Sequence, residues 1–173
     1  MPTVVAFETE AGAVLAADRL VVNNDTVSSK RAERLAGFGD CGAAAVADPD
    51  QFRRELDGKR RAYETDHGEN PGIEPFARMA TALARDVGTD AAIAGRDEEG
   101  RARVRAVYAD GSVIDDSPVA IGTGAELAFG RLEAGVPGDL AEAESFAREV
   151  IEGVGERDTR TGGDADVWTL ASE

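Results

Sequence analysis

The sequence predicts an α+β fold in which antiparallel sheets pack against outer helices. Three observations support this class: strand-like apolar runs come first, a pair of amphipathic helices follows, and the same order then repeats before one last strand. Runs of one element type, rather than strict strand–helix alternation, indicate packed layers with hairpin-connected strands. A chain of 173 residues, 42% of them hydrophobic, has the length for a single domain, residues 1–173.

Two strand pairs are predicted before the first helix. Residues 3–7 and 13–17 are apolar, and the polar turn between them ends in Gly12, which indicates a buried hairpin. Residues 34–38 and 42–47 form a second pair of short apolar runs. We therefore expect both sheets to receive antiparallel strands from this part of the chain.

A pair of helices should follow these strands. Asp48 and Pro49 are a suitable N-cap and first helical residue. The apolar stripe of the first helix is formed by Phe52, Leu56 and Tyr63. After a polar loop at residues 67–72, apolar residues recur at helical spacing over residues 73–87, which predicts a second amphipathic helix.

The second half of the chain repeats this order. Four apolar runs separated by polar turns predict strands, at residues 91–95, 104–108, 113–114 and 119–121. Two helices are then expected, because Thr123 with Glu126, and Asp139 with Glu142, have the spacing of a capping box. The last strand is predicted at residues 167–170.

The charge composition excludes some classes of partner. The net charge of −15 would repel nucleic acid and anionic membranes over the whole surface. Lys30 and Lys59 are the only lysines, so arginine supplies the other cations. Many carboxylates with almost no lysine indicate a protein adapted to high salt, which screens the repulsion among its own charges.

Cysteine content and hydropathy predict a soluble, cytoplasmic protein. Cys41 is the only cysteine, so no disulfide can form within the chain, and its apolar neighbours predict a buried thiol. The N-terminal residues lack the basic and apolar regions of a signal peptide. No apolar run approaches the ~18 residues that a membrane-spanning helix requires.

Three short motifs point to one protein family. Ala16-Ala17-Asp18-Arg19 ends the first hairpin, Gly122-Thr123-Gly124 precedes the third helix, and residues 158–163 follow the fourth. Together with the order of elements, these motifs resemble the β-type subunits of the proteasome core particle and of the bacterial two-component protease ring. Those proteins are N-terminal-nucleophile hydrolases. Because the order of elements matches along the chain, the resemblance covers nearly all of it.

The resemblance implies a specific architecture and chemistry. The family folds as a four-layer αββα sandwich, with two antiparallel sheets between helical layers. Its members are threonine peptidases in which the hydroxyl and free α-amine of the first residue supply nucleophile and base. They use neither a cofactor nor a metal, and they assemble into rings that act on peptides or unfolded proteins.

The family register places substituted residues at two catalytic positions. Without gaps, Asp18 matches the family's acidic residue, Pro2 matches the nucleophile and Arg34 matches the lysine. Proline has no hydroxyl, and arginine stays protonated, so it cannot shuttle a proton as a lysine can. Thr3 is an alternative nucleophile if the residues before it are removed and the first hairpin is one residue shorter than in the family.

Three further residues match the groups that hold the N-terminal amine in the family. They are Thr123, Asp158 and Thr161. The family's glycine that offers an N–H to the oxyanion has no glycine counterpart, and the corresponding segment is residues 45–47.

Each of these residues also has a purely structural interpretation. Thr123 has the position of a helix N-cap, Asp158 that of a turn residue, and Asp18 is able to pair with Arg34 or Arg19. His67 is the only histidine and lies in a polar stretch, so neither a Ser-His-Asp triad nor a zinc site is expected.

Three functions follow from the resemblance. The first is a proteasome β-like subunit that assembles or binds without cleaving, as a homo-oligomeric ring or with other proteasome-like subunits. The second is a threonine-type endopeptidase or an amidohydrolase matured to Thr3. The third is a proteasome α-type subunit, although the chain lacks the N-terminal extension that an α-type gate requires.

Overall fold

The computed structural model describes residues 1–173 as eleven strands and four helices. The strands are β1 (Thr3–Glu8), β2 (Gly12–Ala17), β3 (Val21–Asn23), β4 (Thr26–Ser29), β5 (Leu35–Gly37), β6 (Gly42–Ala45), β7 (Ala91–Arg96), β8 (Ala102–Val107), β9 (Val113–Ile114), β10 (Val119–Gly122) and β11 (Asp166–Ala171). The helices are α1 (Pro49–His67), α2 (Ile73–Val87), α3 (Ala125–Glu133) and α4 (Leu140–Gly155). The predicted order of strands and helix pairs is therefore present.

The strands form two main sheets, and every strand pairing is antiparallel. One sheet has four strands in the order β10-β1-β2-β11, and the other has five in the order β5-β6-β7-β8-β9. The pairing of β1 with β2 sets Val4 opposite Ala17 and Phe7 opposite Val14. This register determines which side chains of β1 face each layer, and therefore which layer the Thr3 side chain enters.

The core consists of three apolar clusters that follow from strand alternation. Val4 and Ala6 of β1 join residues of both sheets in a cluster between the sheets. Val5 and Phe7 point to the other face of β1 and pack with residues of α3 and α4. A third cluster joins α1 and α2 to the outer face of the five-stranded sheet. Successive side chains of β1 therefore enter different layers, as the period of a strand requires.

The structure differs from the sequence-based expectations at several turns and helix ends. The hairpin of β3 and β4 was not predicted; it is short and largely exposed, so it carries no apolar alternation. Its turn uses Asn24 and Asp25, both with positive φ. The expectation that Asp48 caps α1 through its side chain was wrong, since Asp48 has a φ of 45° and makes no capping hydrogen bond.

Two predicted side-chain roles in the helices also need correction. Tyr63 is only half-buried and stacks on the exposed His67 ring, with 3.8 Å between ring centroids, so only Phe52 and Leu56 anchor α1. The side chain of Thr123 does not cap α3, because Gly124 occupies the N-cap position. Asp139, by contrast, does cap α4, accepting a hydrogen bond from the N–H of Glu142 at 3.0 Å. None of the four helices combines the length and apolar character that crossing a membrane requires.

Candidate functional site

The start of β1 lies between two other strands of the four-stranded sheet. Thr3 is opposite Gly122 of β10, and the adjoining Val4 is opposite Ala17 of β2. Thr3 is fully buried and shares the face of Val5 and Phe7, which is directed at α3 and α4. Pro2, which precedes β1, is also buried.

A chain of hydroxyl groups connects Thr3 to Asp158. Thr161 Oγ1 donates to Asp158 Oδ2 at 2.5 Å, so its lone pairs accept the proton of Thr3 Oγ1, which lies 2.7 Å away. Thr3 Oγ1 in turn accepts a hydrogen bond from the N–H of Gly124 at 3.1 Å. The Thr3 hydroxyl therefore has both a donor and an acceptor partner inside the protein.

Thr123 completes this network from the opposite side. Its hydroxyl is within hydrogen-bonding distance of Asp158 Oδ2, at 2.6 Å, and of the carbonyl oxygen of Met1. Burial raises the pKa of Asp158, but hydrogen bonds from Thr123, Thr161 and the N–H of Arg160 outweigh burial, so its pKa lies below the ordinary value. Asp158 is thus an ionised acceptor shared by two threonine hydroxyls.

Asp18 lies at the end of β2 and is fully buried. Its carboxylate accepts hydrogen bonds from the N–H groups of Gly162 at 2.9 Å, Thr3 at 3.0 Å and Leu20 at 3.3 Å. Burial raises the pKa of Asp18 above its usual value, although these donors and the Arg34 guanidinium act in the opposite direction. Asp18 therefore fastens β1 to the loop after α4 through backbone groups.

Arg34 is buried beside Asp18, in the position that the family register assigns to a lysine. It donates to the carbonyl oxygens of Asp18 at 2.9 Å and Leu20 at 2.6 Å, and its Nη1 is 3.9 Å from Asp18 Oδ1. Burial lowers the pKa of its guanidinium, and Asp18 opposes this effect. Arg34 Nε is buried without a hydrogen-bond partner.

The alternative ion pair of Asp18 with Arg19 is not present. Arg19 instead holds Asp166 through two hydrogen bonds, of 2.8 and 2.6 Å. Asp18 is accordingly paired with Arg34 alone, and Arg34 is engaged mainly through backbone carbonyls.

Residues 45–47, the segment that the sequence comparison with the family matched to its oxyanion-binding glycine, use their N–H groups internally. The N–H of Val46 donates to the carbonyl of Asp90 at 3.1 Å, and the N–H of Ala47 donates to Thr89 Oγ1 at 2.9 Å. The N–H of Ala45 is directed at the carbonyl of Arg34 at 3.4 Å. No N–H of residues 45–47 is left for an oxyanion, which would require a donor about 2.7–3.1 Å from the developing charge.

The residues singled out from the sequence therefore form two neighbouring groups. Thr3, Thr123, Asp158 and Thr161 are joined through hydroxyls, while Asp18 and Arg34 lie beside the backbone of Thr3. His67 takes no part, since it ends α1. Sequence reasoning missed the N–H donors of Gly124 and Gly162, although both glycines belong to the motifs that indicated the site.

The polar groups of the site do not form a metal site. No three side chains of His, Cys, Asp or Glu lie close enough together to hold a metal ion. The only thiol, Cys41, is buried away from these residues, donates to the carbonyl of Pro71 at 3.3 Å, and has its pKa raised to about 12 by burial.

Comparison with known proteins identifies relatives over nearly the whole chain. A family model described as "Proteasome subunit" matches residues 2–170. The "Proteasome subunit beta 2" of Haloterrigena turkmenica is 32% identical, over 92% of this chain and 71% of the relative. The "Proteasome subunit beta" of Halomicrobium mukohataei is 29% identical, over 99% of this chain and 76% of the relative. Both organisms are halophilic archaea. The "Proteasome subunit beta 1" of Desulfurococcus amylolyticus is 29% identical, over 97% of this chain and 88% of the relative.

Proposed function

Because the chain belongs to the proteasome subunit family and is of the β type, we propose that it is a β subunit that assembles or binds without cleaving peptides. The observation that carries this proposal is the position of the first hydroxyl. In the ungapped family register Pro2 matches the nucleophile and has no hydroxyl, while the Thr3 hydroxyl is buried against Gly124 and Thr161. A nucleophile has to be able to reach the substrate.

A shift of β1 would be needed to make Thr3 the nucleophile. Moving the strand by one residue would turn Val5 and Phe7 toward the sheet interface and Val4 toward α3 and α4. Phe7 is fully buried against Phe146, with 6.0 Å between ring centroids. Because protein interiors are close-packed, moving the Phe7 ring would leave a cavity under the helices and crowd the space between the sheets. This cost supports the reading in which Thr3 is structural.

The neighbouring groups support the same reading. Arg34 keeps a positive charge near Asp18, but its guanidinium does not release a proton at any accessible pH and so cannot act in proton transfer as a lysine can. The N–H groups of residues 45–47 are already paired, so an anionic intermediate would have no donor there. A site without a hydroxyl at the register's nucleophile position, without a lysine and without a free oxyanion donor is expected to have background peptidase activity.

The alternative is a threonine-type endopeptidase or amidohydrolase matured to Thr3. One observation favours it: the Thr3 hydroxyl already contacts Thr161 and, through it, Asp158, which match family groups near the N-terminal amine. The relatives are named as β subunits, so they lend no support to an α-type subunit.

We extend the proposal to architecture and assembly. The two sheets and their flanking helix pairs are interpreted as the four-layer αββα sandwich of N-terminal-nucleophile hydrolases, in one domain over residues 1–173. Support comes from the three apolar clusters, one between the sheets and one under each helix pair. A ring of identical or related subunits, peptide or unfolded protein as the class of molecule bound, and a cytoplasmic location remain predictions.

A labelling experiment tests the proposal. The purified full chain would be treated with an epoxyketone and a β-lactone that react with N-terminal threonine, and intact and N-terminal peptide masses would be measured. We expect no adduct, with Thr3 inside the chain rather than at its start. An adduct on Thr3 that is absent from a Thr3→Ala variant would contradict the proposal and support the peptidase alternative.

A further inference from the structure

An arginine-lined cleft lies between β5 and α1, on the outside of the five-stranded sheet. Its volume is about 490 Å³. One wall is formed by residues 35–39, and the other by Arg53, Arg54, Arg60 and Arg61 together with Asp57, the only carboxylate in the lining. The whole chain carries a net charge of −15, whereas the side chains that line this cleft carry a net positive charge.

Two of these arginines are available to a ligand. Arg60 is held in place, because its guanidinium contacts Asp57, Glu64 and Asn70 within 3.2 Å. Arg54 forms no salt bridge, and its Nε contacts only the carbonyl of Asp50, at 3.3 Å. Arg61 has one salt bridge, to Asp57, and its side chain remains 72% exposed. The outer positions of the cleft therefore present guanidinium donors to solvent.

The opposite wall of the cleft is an unpaired strand edge. β5 is the last strand of the five-stranded sheet and pairs only with β6. The backbone groups on its other side have no strand partner, and an extended peptide is able to hydrogen-bond to such an edge. Leu35 and Ala36 are half-buried and Gly37 is exposed, so this edge is open to solvent.

We propose that this cleft binds an extended, carboxylate-rich peptide segment of a partner chain. The backbone of the segment pairs with β5, and its Asp or Glu side chains contact Arg54 and Arg61 through charge-assisted hydrogen bonds. These two arginines are seven residues apart on α1, so their Cα atoms are separated by ~10 Å along the helix axis. Acidic side chains two to four residues apart on an extended segment span this separation, because each residue advances ~3.3 Å.

The net charge of the protein favours a peptide over nucleic acid. A polyanion that extends beyond the cleft would meet the acidic remainder of the surface and be repelled. A short acidic segment touches only the local arginines. The inference does not depend on whether the chain cleaves peptides, since none of these residues belongs to the site around Thr3.

Fluorescence anisotropy with the full chain tests the inference. The probe is a labelled nine-residue peptide in which Asp alternates with Val and Thr. The control probe is the same peptide with Asn in place of each Asp. We expect the Asn peptide to bind about tenfold or more weakly, because it loses the charge-assisted contacts. The R54E/R61E variant should weaken binding of the acidic peptide by a similar factor, about tenfold, since the carboxylates would now be repelled.

A matched arginine and a modified backbone provide the controls. Arg131 is exposed on α3, forms no salt bridge and lies outside the cleft, so Arg131→Glu should change affinity less than about twofold. A probe methylated at alternate backbone nitrogens should bind weakly, because it cannot donate to β5.

Several outcomes would overturn the inference. Equal binding of the Asp and Asn peptides would exclude carboxylate recognition, and full binding of the methylated peptide would exclude pairing with β5. Loss of binding in Arg131→Glu equal to that in R54E/R61E would show that overall charge, not the cleft, is responsible. If neither peptide binds and R54E/R61E lowers the molar mass in light scattering, the cleft is a contact between copies of this chain instead.

Discussion

Pro2 and Thr3 are adjacent in the chain, but only Thr3 belongs to β1. A hydroxyl at Thr3 enters the layer beneath α3 and α4, where it contacts Gly124 and Thr161. The family register matches the nucleophile with Pro2, and our proposal that the chain does not cleave peptides rests on this difference of one position.

Replacing the Thr3 hydroxyl should reveal its structural role. In Thr3→Val the shape is kept, but the N–H of Gly124 loses its acceptor and Thr161 loses its donor. We expect a loss of about 1–3 kcal/mol in the free energy of unfolding, measured by chemical denaturation. Thr26→Val, on the exposed strand β4, is the control and should stay within about 0.5 kcal/mol of the parent. An unchanged midpoint in Thr3→Val would mean that the hydroxyl chain contributes nothing to the fold.

Asp158 should contribute to the pH dependence of stability. Its pKa is lower in the folded protein than its ordinary value of 3.8, so the unfolded chain binds more protons between the two values. Its stabilising contribution is therefore complete above about pH 4 and is lost as the pH falls through the folded pKa. Urea midpoints measured between about pH 2 and 6 should show a weaker acid dependence in Asp158→Asn than in the parent. Asp115→Asn is the control, because the exposed Asp115 accepts no hydrogen bond; an identical decline in all three proteins would contradict the prediction.

At the scale of elements, the two sheets approach closely where Trp168 of β11 meets β5 and β6. A Cβ added to Gly42 would lie 2.7 Å from two carbon atoms of the Trp168 ring, and one added to Gly37 would lie 2.5 Å from its Nε1. Glycine is thus required for close packing of the ring rather than for an unusual backbone angle. Trp168 is the only tryptophan, so its fluorescence reports directly on this contact.

The substitution Gly42→Ala tests this packing. The new methyl group has to displace the Trp168 ring, and we expect a destabilisation of about 1–3 kcal/mol with a changed emission maximum. Gly58→Ala is a control of opposite sign, because Gly58 lies within α1 with no atom within 4 Å of the added Cβ. Removing a helical glycine there should stabilise the protein by about 0.5–1 kcal/mol. A stable Gly42→Ala protein with an unchanged emission maximum would mean that the sheets separate easily at this point.

At the scale of the whole molecule, the excess of carboxylates should make stability depend on salt. The net charge of −15 produces self-repulsion that potassium chloride screens, with a Debye length of ~30 Å at 0.01 M and ~3 Å at 1 M. We expect the thermal midpoint to rise from low to molar potassium chloride. A midpoint that is flat or falls over this range would contradict adaptation to high salt.

Assembly is also a property of the whole molecule. Family membership and the two outer helix pairs lead us to expect a closed homo-oligomer. Multi-angle light scattering at molar salt should return a mass that is a multiple of 18.1 kDa. A monomer that persists at high concentration in the same buffer would leave assembly to a different partner subunit.

Much of the fold was determined by the sequence alone, because strands and helices arise from local periodicity. The apolar runs of β1 and β2, the helical spacing in α2 and the Asp139 cap of α4 all depend on residues close together in the chain. The family register likewise selected Asp18, Arg34, Thr123, Asp158 and Thr161 from short motifs. Where the local signal was weak, as in the exposed hairpin of β3 and β4, prediction failed.

Only the tertiary structure decided what the selected side chains do. Thr123 and Asp48 both had the sequence of helix caps, yet Thr123 donates to a carboxylate 35 residues away and Asp48 makes no cap. Thr3 and Thr161 are separated by 158 residues, so their contact depends on how the sheet and the loop after α4 are brought together. Hydrogen-bond partners and the face of a strand are set by packing between distant segments, and no local pattern encodes them.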